Sequence, residues 1–202
     1  MSASARIRAL GSALSLGLGL VLGATTAAAD AGPWGPERLM AELARGDHAQ
    51  ASFVEARYLR LLTRPLTLTG TLSYTPPDRI EKRTLSPNEE ILIVDGDRVS
   101  VEIKARRIRR SASLRQYPAL WGFVESLRAT LRGDLETLQR FFHIELTGDP
   151  QRWLLSLVPL DRRMRELIDE IRIGGGDGQV QSVDILETRG DRSVIRIQAA
   201  SR

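Results

Sequence analysis

The 202 residues contain no cysteine, which excludes disulfides, thiol catalysis, thiolate metal sites and a lipid anchor carried on a processed cysteine. Histidine is almost as scarce. His48 and His143 stand far apart, with no companion at metal-ligand spacing, so they read as incidental rather than catalytic or metal-binding. Aromatic residues make up only 5% of the chain. None is interleaved with the densest basic stretch, so stacking on nucleic-acid bases has no support. An excess of one charge is missing too, because 29 Lys and Arg face 25 Asp and Glu. Nothing in the pattern calls for a cofactor, and no segment after the first 30 residues is apolar enough to span a membrane.

The N-terminus has its own design. Arg6 and Arg8 precede a Leu, Gly and Ala stretch from Ala9 to Val21, and Ala27-Ala28-Ala29 stands before Asp30. This is the layout of a secretory signal peptide with a small-residue cleavage site, and it fits export better than an uncleaved anchor. Cleavage after Ala29 leaves 173 residues carrying 27 basic and 25 acidic side chains, enough for a single domain spanning 30–202. The expected compartment is a bacterial periplasm.

Strand patterning dominates the remainder of the chain. Thr63 to Thr75 reads TRPLTLTGTLSYT, with Leu66, Leu68, Gly70, Leu72 and Tyr74 on one face and hydroxyl residues on the other. Gly70 leaves a gap on the apolar face where the strand bends or something bulky approaches. Strands are also expected from Gln50 through Leu62, over Arg79–Leu85 as a charged edge, and over Glu90–Val94 and Arg98–Ile103 around the hairpin signal Asp95-Gly96-Asp97. Later strands are expected at His143–Thr147, Trp153–Val158, Glu170–Ile173, Val180–Thr188 and Ser193–Gln198.

Helical spacing interrupts the strands. Pro36 starts a short helix with Leu39, Met40 and Leu43 on one side. After Pro118, Leu120, Val124, Leu127 and Leu131 form a stripe with Trp121 and Phe123 beside it; Gly133 ends that helix and Asp134 caps another carrying Leu135, Leu138, Phe141 and Phe142. Arg162–Ile168 also reads as helix. The expected fold is mainly β (α+β), an unclosed antiparallel half-barrel with helices covering its concave apolar face. The helical stripe either plugs the sheet as core or forms a movable cover over an apolar cavity.

Three remaining features carry no reaction. Asp95 and Asp97 are explained by the hairpin turn. Gly174–Gly178 lacks the Lys-Ser/Thr of a phosphate loop and reads as a flexible hairpin. The run Lys104, Arg106, Arg107, Arg109, Arg110 and Arg115 either docks an acidic membrane partner or anionic head groups, or is a solvated link between sheet and helix. No nucleophile elbow or paired buried carboxylate supports an enzyme.

The ordered landmarks Phe53–Arg57, Gly70–Tyr74 leading into Pro77, the Ile91–Val99 hairpin, Leu131–Phe142 and Trp153–Pro159 make the chain resemble the LolA family of periplasmic lipoprotein carriers. The resemblance implies a half-barrel that binds acyl chains of lipoproteins and ferries them from an inner-membrane transporter to an outer-membrane acceptor. Such a carrier serves protein transport and outer-membrane biogenesis as a monomeric lipid-binding chaperone. It implies acyl contacts at Leu66, Leu68, Leu72, Tyr74, Ile91, Ile93, Trp121, Val124 and Leu127. Family carriers commonly have an Arg before the Pro ending this strand, tying sheet to lid; here Pro76 holds that place, and Arg79 is the nearest arginine. Cargo therefore stays open to a glycolipid or another acylated product. The alternative is a LolA-like module that senses or docks an envelope partner without carrying lipid.

Overall fold

The computed structural model describes residues 33–45 and 49–199. The expected signal segment and His48 lie outside the described residues. Residues from Gly32 onward form one compact unit.

Eleven antiparallel strands make one sheet: β1 (Ala49–Tyr58), β2 (Leu66–Thr75), β3 (Arg79–Ser86), β4 (Glu90–Asp95), β5 (Arg98–Ile103), β6 (Ile108–Ser113), β7 (Phe142–Asp149), β8 (Arg152–Pro159), β9 (Ile168–Gly176), β10 (Gln179–Glu187) and β11 (Arg192–Ala199). Their spatial order is β6-β5-β4-β3-β2-β1-β11-β10-β9-β8-β7. The first and last strands pair at the middle, and β6 and β7 are left as the two edges of an unclosed half-barrel. The chain crosses from one edge to the other through α2 (Pro118–Arg132) and α3 (Leu135–Phe141). The other α-helices among the described residues are α1 (Pro36–Leu43) and α4 (Arg162–Arg165).

Helix ends form where the sequence supplies their chemistry. Gly133 takes a left-handed φ of 69° to end α2, and the Asp134 side chain accepts the Thr137 N–H to start α3. The Asp161 side chain likewise accepts from Met164 N–H at α4. Leu39, Met40 and Leu43 of α1, Leu138 of α3 and Met164 of α4 are buried with Trp153, Leu155, Leu157, Ile171 and Ile173 on β8 and β9. A second, smaller cluster holds Val94 on β4, Leu114 and Val124.

These two clusters show that the sheet curls. Strands β4 and β9 stand six positions apart, or ~29 Å across a flat sheet at about 4.8 Å per strand. A helix is only about 10–12 Å across with its side chains. Yet α2 places Val124 in the first-named strand's cluster and Ala129 in the other, with Phe123 packed against both. The sheet must wrap around α2 for this to happen.

Six expectations change. Phe142 and Ile168, read as helical, instead begin strands β7 and β9. Strand β1 stops at Tyr58, so Leu59, Leu61 and Leu62 belong to a turn outside the sheet. Strand β3 is interior, hydrogen-bonded to β2 on one side and β4 on the other, and its charges find partners on both sheet faces. The basic stretch contains edge strand β6 rather than only a loop. Gly174–Gly176 lie inside β9, leaving Asp177-Gly178 as the hairpin turn, and a Cβ on Gly175 would stand 2.4 Å from the Trp153 ring, so that glycine forms the seat for the indole.

Candidate functional site

Register assigns every strand residue to a face. Leu68 pairs with Glu55, Gly70 with Phe53 and Leu72 with Ala51 across β1; across β3, Leu72 pairs with Lys82 and Tyr74 with Ile80. The same side continues through Leu92 and Val94 to Val99, Val101 and Ile103. In the other direction it runs through Ile195 and Ile197 to Val183 and Ile185 and then to Ile171 and Ile173. This face is the one the helices cover. Leu72, Ile195 and Ile197 lie between the two helix-packed clusters, and Leu92, Val101 and Ile103 continue along β4 and β5 past Val94 and Val99; all six stay only half-buried, so an apolar strip remains for something else to cover.

Register also corrects one expectation. Ile91 and Ile93 pair with Arg83 and Glu81, opposite Ser100 and Glu102, and therefore lie on the other face. The covered face of β4 belongs to Leu92 and Val94. The sequence carries the signal: a two-residue hairpin loop sets Val94 against Val99, and the clean alternation of Val99, Val101 and Ile103 then fixes the phase of β4.

Of the other expected contacts, Leu68 and Tyr74 are buried on the covered face, and the Tyr74 hydroxyl donates to Pro77 O at 3.1 Å. Leu72 lies between them, half-buried. Val124 is 4% exposed and reaches the sheet at Val94, while Leu127 is half-buried on the same helix. Trp121 is 38% exposed and stands edge-on to Phe141 of α3 at 5.2 Å, packing helix on helix. Leu66 is at the end of β2, exposed at the rim of the sheet.

The strip contains an ionic group that period counting does not find. Glu55 is 2% exposed and accepts hydrogen bonds from Lys82 Nζ, Ser193 Oγ and, at 2.7 Å, Arg57 Nε. Lys82 gets there by lying 5.0 Å over the Phe53 ring. That ring in turn rests on Gly70, where a Cβ would stand 2.9 Å from it and 1.9 Å from Arg83 O. The gap in the β2 apolar face is therefore filled by a cation–aromatic stack ending on a buried carboxylate. Burial raises the Glu55 pKa, but the hydrogen bonds from Lys82, Ser193 and Arg57 outweigh it and hold the carboxyl below its ordinary value.

Helix α2 is fastened to the sheet by arginines of its own. Arg128 donates through Nε and Nη2 to Asp78 O at 3.0 and 2.6 Å and through Nη2 to Gly96 O at 2.8 Å. Arg132 pairs with the Asp78 carboxylate at 3.1 Å. Arg79 plays no part in this tie, since it pairs with Asp95 and Glu81. The connection between helix and strand turn thus runs from helix to sheet. Its only trace in the sequence is Arg128 falling four residues after Val124, on the same buried helix face.

A surface hollow of about 440 Å³ beside Thr147, Leu154, Gly174 and Ser182 lies away from the strip.

The family to which the sequence matches agrees with the geometry. Residues 24–202 match the family model described as outer membrane lipoprotein carrier protein LolA-like. Among solved structures, a LolA superfamily protein, NE2245 from Nitrosomonas europaea, is 8% identical, with 84% of this chain and 96% of that chain covered at a TM-score of 0.44. The Pseudomonas aeruginosa MucA/MucB complex matches at 15% identity, 83% of this chain and 58% of that chain, TM-score 0.44. A lipoprotein-sorting protein domain from Vibrio parahaemolyticus matches at 9% identity, 82% and 91% coverage, TM-score 0.42. No curated protein sequence matches the chain.

Proposed function

The chain belongs to the LolA-like family of outer membrane lipoprotein carrier proteins, and from that premise we propose that it is a periplasmic carrier of acyl chains. In this reading it binds the chains of a lipoprotein or another acylated product along the covered face, and moves them from an inner-membrane donor to an outer-membrane acceptor without breaking a bond. The observation that supports it is the half-buried strip of Leu72, Leu92, Val101 and Ile103 on the covered face of β2, β4 and β5, beside the helix-packed clusters. Each acyl methylene buried there contributes about 0.8 kcal/mol. Capture is thus favourable, and release depends on competing contacts made by α2 when the strip is empty.

The two faces of the sheet provide a matched test. Leu72→Gln places an unpaired amide in the strip and is expected to weaken binding of a long-chain fluorescent fatty-acyl probe at least ~10-fold. Ile93→Gln makes a comparable apolar-to-amide change on the opposite face and is expected to leave probe affinity within about twofold. Equal losses in the two variants, or no binding by the unaltered chain, would remove the carrier reading.

A further inference from the structure

Strand directions divide the turns of the half-barrel between two ends. Residues 59–65, 87–89, 104–107, 160–167 and 188–191 gather at the end where β1 finishes and β2 begins. The opposite end holds Asp78, Asp95, Asp97, Asp149 and Asp177 in or beside its turns, balanced by Arg79, Arg98, Arg115, Arg132 and Arg152, with Asp78, Asp95 and Asp97 in ion pairs to Arg132, Arg79 and Arg115.

The first end is unusual in what it exposes. Leu61, Leu62, Leu66, Leu85, Leu160 and Leu167 all stand there, six of the eight exposed leucines among the described residues, and Leu61 is 94% exposed. Leu61 occupies the tip of an ordered turn rather than a frayed one. The Leu62 N–H donates to Leu59 O at 2.8 Å, and the Arg60 N–H to the Asp191 carboxylate at 2.8 Å. Neighbouring turns are tied together as well, through Lys104 to Glu89 and Thr188 to Arg165 O.

Charge at this end follows a consistent division. Glu89 holds Lys104, Asp191 caps the Leu59–Leu62 turn, Asp161 caps α4 and Glu166 faces Arg162. The four acids of these turns are engaged within the fold. Arg64, Arg106, Arg107, Arg163 and Arg189 have no carboxylate partner among the described residues. Leucines exposed beside uncommitted arginines match a bilayer interface, where apolar side chains enter the acyl boundary and guanidinium groups meet phosphate. An acidic protein surface would use the arginines but would leave six leucines in water.

We infer that this leucine and arginine rim docks the protein end-on to an anionic bilayer, with the Leu61 turn inserted and the opposite end facing away. Docking is independent of whether the strip carries an acyl chain, and acyl-probe binding and bilayer docking can fail separately.

Because the chain has no cysteine, a single reporter site tests this directly. An environment-sensitive fluorophore is placed on Leu61→Cys, and on Gln151→Cys at the opposite end, and each is mixed with vesicles of phosphatidylglycerol and phosphatidylethanolamine or of phosphatidylcholine alone. The expected result is a blue shift at position 61 only, on the phosphatidylglycerol vesicles only, and reversed by salt. In co-sedimentation, Arg106→Gln and Arg107→Gln should each weaken partition about fivefold, and Leu61→Asp with Leu62→Asp at least ~10-fold. Equal shifts at both positions mean adsorption through another segment, such as residues 9–21, and overturn the inference. So do no shift at 61, an equal response to phosphatidylcholine, or position 61 protected only by an acidic protein partner.

Discussion

Glu55→Ala is expected to destabilise the fold by about 3–5 kcal/mol, the usual result of leaving a buried charge without its partner. The Lys82 side chain is 16% exposed and lies over Phe53, so removing the carboxylate strands an ammonium on an apolar face. Thermal unfolding should show a drop in Tm on the order of 10 °C. Adding Lys82→Met to the same chain should recover much of the loss, because the double variant no longer buries a lone charge. Purely additive effects would mean that the two side chains do not interact. The pH dependence has a definite sign. With its folded pKa held below the ordinary value of 4.5, Glu55 contributes stability that is fully present above that value and disappears as pH falls through the folded pKa. Acid unfolding of Glu55→Ala should therefore have a shallower slope below about pH 4.5. Asp134 and Glu170, also shifted down by their hydrogen bonds to Thr137 and Arg172, keep their part of the slope in both proteins.

Arg128→Ala is expected to cost about 3 kcal/mol, since hydrogen bonds to a charged group are worth about 1.5–3 kcal/mol and buried carbonyls are left unpaired. The side chain is 4% exposed and links α2 to two separate strand turns. Lysine cannot reproduce the fork, so Arg128→Lys should lose most of the same stability. The loss should also be local. Hydrogen exchange in Arg128→Ala should speed up along α2 by more than it does in β8 and β9, whose core contacts with α1 and α4 are untouched. If all amides accelerate together, Arg128 is an ordinary core residue and does not hold α2 against the sheet.

The parts of this structure that are legible in sequence are those where one face of an element differs sharply from the other. Leu68, Leu72 and Tyr74 alternate with threonine and serine, so their shared face follows from the period of two. In Glu90-Ile91-Leu92-Ile93-Val94 every central residue is apolar, so the strand's own period is silent, and its phase follows only through the hairpin partner β5, whose alternating Val99, Val101 and Ile103 put Leu92 and Val94 toward the helices. Period counting fails outright for Glu55 and Lys82. A lone charge in a strand reads as solvent-facing, and the Glu55 contacts join residues 27 apart for Lys82 and 138 apart for Ser193. The charges of β3 suggest an edge for the same reason. Backbone pairing with β2 and β4 makes it interior, and its charges are accommodated by Lys82 reaching Glu55 on one face and Arg83 pairing with Glu81 of the same strand on the other. The Leu61 turn reads as strand because its leucines continue the apolar spacing of β1, whereas the register ends with Tyr58 opposite Arg192.

Carriage requires an acyl chain to lie along the strip beneath α2. Its most direct test is a native mass spectrum of the protein recovered from the cell envelope, paired with an organic extract of the same sample. An acyl-bearing adduct is expected on the unaltered chain, lost from Leu72→Gln and retained by Ile93→Gln. A bare protein mass, with no acyl-bearing species in the extract, would contradict carriage.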